Sequence, residues 1–407
     1  MTSCVISLRS RVVGRVNLAA QDLDPEGTTG EKDEYQKKLE ARIPYDLKPF
    51  TSVLADPDLH AKMRGIVEGK SKFARSCVIV TIAANTDDSG RGTMTIECPR
   101  PLRKGDREET RREAYVKMLE DLDKWSAAHD LPLPVVSFII YVTDTYMWEP
   151  YASGYPWLTM AKPCNRNGIL IPDNSFITHG PAGSETEGWR EREEWAWTPV
   201  VQTLSSVAAE STSWEEKEPV AFFKGAETGA DKYATRTYLA SIDVPVQVDL
   251  SGTKEPMAAW ATKKVLLDLP GHQPWSYRRK YLYLLGSPTV HVDVCVDYGN
   301  GEVTDKWELF FDHLFRSGTC YVKLVQHYFD EDNPSALKGN PYMLKRLRTQ
   351  VREAYSAIEA RGTSEIQKMV DRSSAIIQAL TRDRILRYFH TVLHSYASMT
   401  ASVSPAP

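Results

Sequence analysis

KVLLDLPGHQPWSYRRKYLYLLGS, Lys264 to Ser287, passes from an apolar strand through a Gly/Pro-containing loop into a helix. Ser276 is placed to cap that helix and Gly286 to close it. Arg278 then falls in the first helical turn, where a cation opposes the helix dipole by about 0.3–1 kcal/mol. Such a placement makes better sense if an anion, a diphosphate for example, occupies the strand-to-helix mouth. On spacing alone the alternative stays open, that Arg278 and Arg279 point to solvent or pair with a carboxylate.

Outward from this segment, short apolar runs alternate with helical patterns. The runs are CVIVTIAA from Cys77, VSFIIYV from Val136, ILIP from Ile169, VAFF from Val220, TVHVDVCV from Thr289 and CYVKLV from Cys320. This alternation predicts an α/β fold with parallel sheets covered by helices. Asp106 and Glu109 open a capping box, and Tyr115, Met118, Leu119, Leu122 and Trp125 then recur at helical spacing. The acidic string Asp121–Asp123 is expected on that helix's solvated face. From about Asn340 the pattern is wholly helical, ending in one apolar face of Ile385, Tyr388, Phe389, Val392, Leu393 and Tyr396. Residues 1–35, rich in turn formers and charges, read as a mobile lead-in.

At 407 residues the chain is long for one core, and domains of about 100–200 residues make two the natural expectation. The segment Gly183 to Lys217, without a strand signal, divides the two groups of strands. A formal net charge of −4 offers no broad field for nucleic acid or anionic membrane, so any anion site must be local. The six cysteines form no C-x-x-C pair, and His390 and His394 are the only histidine pair at a shared-face spacing, with no third ligand nearby. No metal site is expected. No apolar segment reaches a membrane span, and Arg9, Arg11 and Arg15 interrupt any signal-peptide core, so a cytoplasmic protein is expected.

Ligands of open α/β sheets bind beyond the carboxyl ends of the strands. Two further strand ends qualify. VAFFKGAETGADKYATRTYLASI, from Val220, carries Gly225, which lets backbone approach a ligand, and Arg236 in the helix that follows. A purely structural turn is the alternative, since neither a G-x-G-x-x-G fingerprint nor a Walker loop is present. VSFIIYV ends in TDTY, which puts Asp144 at the carboxyl end of a buried strand, as a candidate base or as the cap of a turn.

The order of these pieces resembles glycosyltransferase family 90. IPYDLKPF at Ile43 is similar to the family's D-L-x-P-[FW] segment, and WLTMAKPCNRNGILIPDNSF from Trp157 to its I-x-[FY]-P-x-W-[ST]-F segment. EPVAFFKGA resembles aromatic-[RK]-G-S, PWSYRRKYLYLLGS resembles S-[FY]-R-x-K-x-L-x-L-x-G-S, and KWELFFDHLFRSGTCYVKL follows where the family has W-x-x-F-F and H-Y-[IVW]. Lys224 stands where the family usually has Arg, Ala226 where it has Ser and Asn174 where it has Trp.

The resemblance implies a GT-B arrangement of two facing Rossmann-like domains: an acceptor-side domain over residues 36–200 and a nucleotide-sugar domain over 201–375. Residues 376–407 would return to the first. It further implies inverting, metal-independent transfer of glucose or xylose from a UDP-sugar, with no cofactor, to a hydroxyl of a glycan or protein acceptor. Asp144 would be the base. Gly225, Ala226, Arg236, Gln273, Pro274, Trp275, Ser276, Tyr277 and Arg278 would line the donor, and Trp157 and Lys162 the acceptor side. The rival readings are a non-catalytic nucleotide-sugar- or glycan-binding relative and, disfavoured by the missing dinucleotide fingerprint, a dehydrogenase-like enzyme.

Overall fold

Strand-forming runs rich in Val, Ile and Phe assemble into two large sheets in the computed structural model. It describes residues 4–8, 29–69, 74–84, 92–100, 107–143, 154–163, 167–179, 187–226, 235–240, 245–252, 255–271, 276–297, 303–304, 307–328 and 341–401. The chain is α/β, as expected from the alternation. All seven apolar runs form strands.

The first sheet contains β1 (Cys4–Leu8), β2 (Cys77–Ala83), β3 (Thr93–Cys98), β4 (Val136–Tyr141), β5 (Leu158–Thr159) and β7 (Ile169–Leu170), in the spatial order β1-β3-β2-β4-β5-β7. It is mixed rather than parallel: β1–β3, β2–β3 and β2–β4 pair antiparallel, and only β4–β5 and β5–β7 are parallel. The cause is the short β2–β3 connection, which suits antiparallel neighbours and gives no room for a crossover helix. The long helix α1 (Arg107–Ala128) instead carries the chain from β3 past β2 to β4. β1 lies inside the stretch expected to be a lead-in, which is corrected to that extent.

Helix α1 buries Tyr115, Met118, Leu119, Leu122 and Trp125 as its spacing predicts. Asp121 departs from the expected solvated face. It is 2 % exposed and accepts the Trp195 indole N–H at 2.7 Å, with Lys117 and Arg382 nearby. A tryptophan from the Glu/Trp/Ser-rich segment needs an acceptor once buried, and Asp121 supplies it.

That segment contains helix α2 (Trp197–Glu210). Trp189, Trp195 and Trp197 sit in a hydrophobic cluster that also takes in β2, β4, Val220, Phe222 and Tyr281 to Leu285. The stretch between the strand groups is therefore a packed part of the core.

The second sheet holds β8 (Glu218–Lys224), β9 (Val246–Asp249), β10 (Lys263–Asp268), β11 (Thr289–Asp297) and β14 (Val322–Tyr328), all parallel, with a short antiparallel β12 (Val303–Thr304) on β11. Strand periodicity sorts its two faces. Val220, Phe222 and Leu266 join the large cluster, while Ala221, Phe223, Val265 and Leu267 pack into a second one with Leu347, Val351 and Ile358 of helix α3 (Pro341–Glu359).

The last helix, α4 (Arg382–Ala401), buries its predicted face on the first half of the chain. Tyr388 Oη donates to Leu170 O at 3.0 Å, and Asp383 accepts the Trp125 indole N–H at 2.5 Å. His390 and His394 lie by Pro132 O, a packing role. Among the described residues no helix is long and apolar enough to cross a membrane.

Candidate active site

Chain order in the second sheet reverses once. From β8 the chain moves outward to β9, then returns to the other side of β8 for β10 and continues to β11 and β14. The crevice between the carboxyl ends of β8 and β10 is thus the topological switch point, where open α/β sheets bind ligands. β8 runs into Gly225 and Ala226, then into a short helix, α5 (Thr235–Leu239), carrying Arg236. β10 leads to Ser276 and the short helix α6 (Arg278–Leu282). The two sequence-predicted arginines thus follow neighbouring strands on either side of the switch.

Four consecutive side chains of this second connection go to four different places. Tyr277 donates its hydroxyl to Asn174 Oδ1 at 2.9 Å, beside Met160 Sδ. Arg279 pairs with Asp268 at 3.0 Å and Asp312 at 2.7 Å. Lys280, fully buried, bonds Asp173 Oδ1 at 3.0 Å and Oδ2 at 3.1 Å. Of the three cations Arg278 alone makes no ion pair among the described residues, and its Nη1 is buried without a hydrogen-bond partner.

What holds Arg278 is aromatic and backbone surface. Its guanidinium lies 4.6 Å from the Phe223 ring centroid and 5.5 Å from that of Trp260, while Arg236 lies 4.9 Å from Phe223. A Cβ on Gly225 would stand 3.2 Å from Arg278 Nη2 and 3.0 Å from the Phe223 ring, so any larger residue would press both side chains a few tenths of an ångström out of their present positions. Ser276 Oγ accepts the Arg278 backbone N–H at 3.2 Å. Arg236 Nη1 donates to Ala226 O at 3.0 Å. Burial first, then Arg236, push the Arg278 pKa down to about 9. A pair of guanidiniums repelling each other over one ring is a place where a dianion gains charge-assisted hydrogen bonds.

Lys224, beside this pair, is already neutralised by Asp249 at 3.0 Å and Glu255 at 3.5 Å. Behind the site, Arg279, His291 and Lys323 alternate with Asp268, Asp293 and Asp312 in a buried network that balances when His291 is protonated. Burial and Arg279 oppose charge on His291, but Asp293 and Asp268 outweigh them and raise its pKa. A raised folded-state pKa contributes stability that is complete below the unfolded value, about 6.5, and lost as pH rises through the folded value. His291→Gln should therefore flatten the decline in thermal stability above about pH 6.5; parallel Tm-versus-pH curves for the two proteins would refute this.

The carboxyl edge of the first sheet meets the same segment. Met160 directly follows β5, and Asp173 and Asn174 follow β7, which is parallel to β5 and β4. Tyr277 and Lys280 thus join this edge to the carboxyl end of β10. β4 belongs to the same parallel set and ends on the same edge, with Thr143, 5 % exposed, beyond it. Asp144, the next residue in the chain, lies outside the described residues, as do Gln273, Pro274 and Trp275.

Two expected site residues are elsewhere. Trp157 is 1 % exposed within the core, and Lys162 is 2 % exposed. Lys162 Nζ bonds Asp46 Oδ1 at 2.7 Å and Gly168 O at 2.8 Å, inside an ion cluster with Arg42 and Glu308. This cluster fastens a two-stranded ribbon, β6 (Lys162–Pro163) on β13 (Trp307–Glu308), and Lys162 is one of its members. Phe223, Trp260 and Asp173 had not been expected at the site. No family model and no curated protein matches the chain.

Proposed function

We propose that this chain is an inverting glycosyltransferase of the GT-B type, moving glucose or xylose from a UDP-sugar to a hydroxyl of a glycan or protein acceptor. The observation that carries the reading is the Arg278–Arg236 pair, without an ion-pair partner for Arg278 among the described residues, at the switch point of a parallel sheet. It supports a diphosphate there. The meeting of two carboxyl sheet edges at Tyr277 and Lys280 supports a two-sided cleft, with the donor on one edge and the acceptor on the other.

In this mechanism the acceptor oxygen attacks the anomeric carbon, and its proton passes to Asp144. The bond from that carbon to the β-phosphate oxygen breaks, and its electron pair leaves with UDP. Arg278 and Arg236 stabilise the charge that develops on the leaving diphosphate, the role a metal plays in other transferases. Gly225 and Ser276 keep Arg278 in place, Gly225 by leaving it room and Ser276 by capping its turn.

Thermal stabilisation by UDP-glucose or UDP-xylose but not by NAD is the expected first result, since a ligand of the folded state raises its stability by mass action. Asp144→Asn should abolish hydrolysis of the responsive donor, a loss of at least about a hundredfold for a missing general base. UDP binding should persist in that variant. Full hydrolysis by it would remove Asp144 from the mechanism.

A further inference from the structure

We infer that His179 is a second ligand-holding residue of this cleft, its Nε2 hydrogen-bonding a hydroxyl of the sugar carried by a diphosphate at Arg278. The inference rests on the nucleotide-sugar reading above and adds to it a residue on the opposite edge.

His179 follows the short helix α7 (Ser175–Thr178) that caps the carboxyl end of β7, and its own backbone is extended, with φ −107° and ψ 130°. Its ring is fixed on two sides. Nδ1 lies 2.5 Å from Thr178 Oγ1, which also lies 3.2 Å from Asn174 O. The ring centroid is 5.9 Å from that of Tyr277, the neighbour of Arg278, at an interplanar angle of 39°. The side chain is half-buried, while Asp173, Asn174, Ser175 and Thr178 before it are all buried. Nε2 has no hydrogen-bond partner among the described residues.

The chemistry of the ring selects a hydroxyl. Burial first, then Lys280, push the His179 pKa down to about 4, with Asp173 opposing and Arg111 adding to the effect. The imidazole is uncharged at neutral pH and gives a phosphate no charge to pair with. Thr178 Oγ1 gives its one hydrogen to Asn174 O, so Nδ1 donates to Thr178 and Nε2 is left as an acceptor. A sugar hydroxyl can donate to Nε2; an ionised phosphate oxygen, which only accepts, cannot. With Arg278 holding the diphosphate on the second sheet, His179 stands on the first-sheet edge beside Tyr277, the neighbour of Arg278, so a sugar reaching past Tyr277 to that edge would meet it. A ring already immobilised by Thr178 and Tyr277 loses little freedom on binding.

Calorimetric titration of the full chain with UDP, UDP-glucose and UDP-xylose tests this. In His179→Ala, affinity for the sugar nucleotide that the wild type binds more tightly than UDP should fall by about three- to tenfold, the range of one neutral hydrogen bond. UDP affinity should stay unchanged, and His179→Gln, which retains a donor and an acceptor, should recover part of the loss. Equal loss for UDP and the sugar nucleotide would mark His179 as merely structural and overturn the assignment. So would unchanged affinity for both, or a wild-type chain that binds neither sugar nucleotide more tightly than UDP. These failures leave UDP binding intact, whereas a wild-type chain that does not bind UDP at all overturns the nucleotide-sugar reading and His179 with it.

Discussion

Arg278→Met should lose nearly all affinity for UDP while leaving the ligand-free protein as stable as before, or more so. The loss follows from charge-assisted hydrogen bonds, each worth about 1.5–3 kcal/mol, so that removing one or two weakens binding by about tenfold to more than ten-thousandfold. The stability result follows from what surrounds the guanidinium in the free protein. Phe223, Trp260 and the backbone at Gly225 enclose it, Arg236 repels it, and among the described residues no carboxylate pairs with it. An apolar side chain of similar length keeps the packing and removes the repulsion. Replacing fully buried ion pairs by well-packed apolar groups is often neutral or stabilising, by about 1–4 kcal/mol, and for the partly buried, unpaired Arg278 the same direction is expected with a smaller gain. A gain in stability coupled to a loss of binding marks a group kept for its ligand. Unchanged UDP affinity by calorimetry would contradict the diphosphate assignment, and a marked fall in Tm would show that Arg278 is an ordinary structural residue.

Much of this site was legible because its strands are buried on both faces. VAFF, KVLLDL and VSFIIYV stand out as apolar runs, and the arginines that follow the first two lie at the strand ends where ligands bind. Strands with one polar face were harder to see. β3, T-M-T-I-E-C, buries Met94 and Ile96 and leaves the residues between them partly exposed, and β9, V-Q-V-D, alternates in the same way. A scan for continuous apolar runs passes over both. The same limit explains the expectation of a parallel first sheet, since the overlooked traverse of β3 turns the chain so that β4 runs antiparallel to β2.

Side-chain destinations were the least legible part. Nothing in S-Y-R-R-K distinguishes Arg278, left without an ion pair among the described residues, from Arg279, which is locked between Asp268 and Asp312, because those carboxylates reach it only when the end of β10 and a turn far along the chain fold around it. Lys162 looked available for the same reason: Asp46, which holds it, lies far earlier in the chain. Position at a strand end marks a site in sequence. Which of its charges are already paired is decided by tertiary contacts.

Lys280→Met should be among the most destabilising single substitutions in the chain, by about 3–5 kcal/mol, because it leaves Asp173 as an unpaired charge in the interior. Both partners are 0 % exposed. The ammonium is enclosed by aromatic rings, 4.4 Å from the Phe176 centroid and 5.2 Å from that of Tyr281, so water cannot replace it beside the carboxylate. Burial lowers the Lys280 pKa and Asp173 only partly offsets this, so the pair itself contributes little net stability. Its larger effect is on position. Asp173 belongs to the carboxyl edge of the first sheet and Lys280 to the helix after β10, two residues from Arg278. Lys280→Met with Asp173→Leu removes both charges, and the surrounding rings accept apolar replacements. The double variant should recover much of the stability lost in either single one, with a coupling of at least about 1–3 kcal/mol in a urea-unfolding cycle. Recovery of UDP affinity should be less complete, since apolar contact does not fix the angle between the two edges as a two-point ion pair does. Additive single losses would show that Lys280 and Asp173 act separately, and the registration of the two edges would then fall to Tyr277 and Asn174 alone.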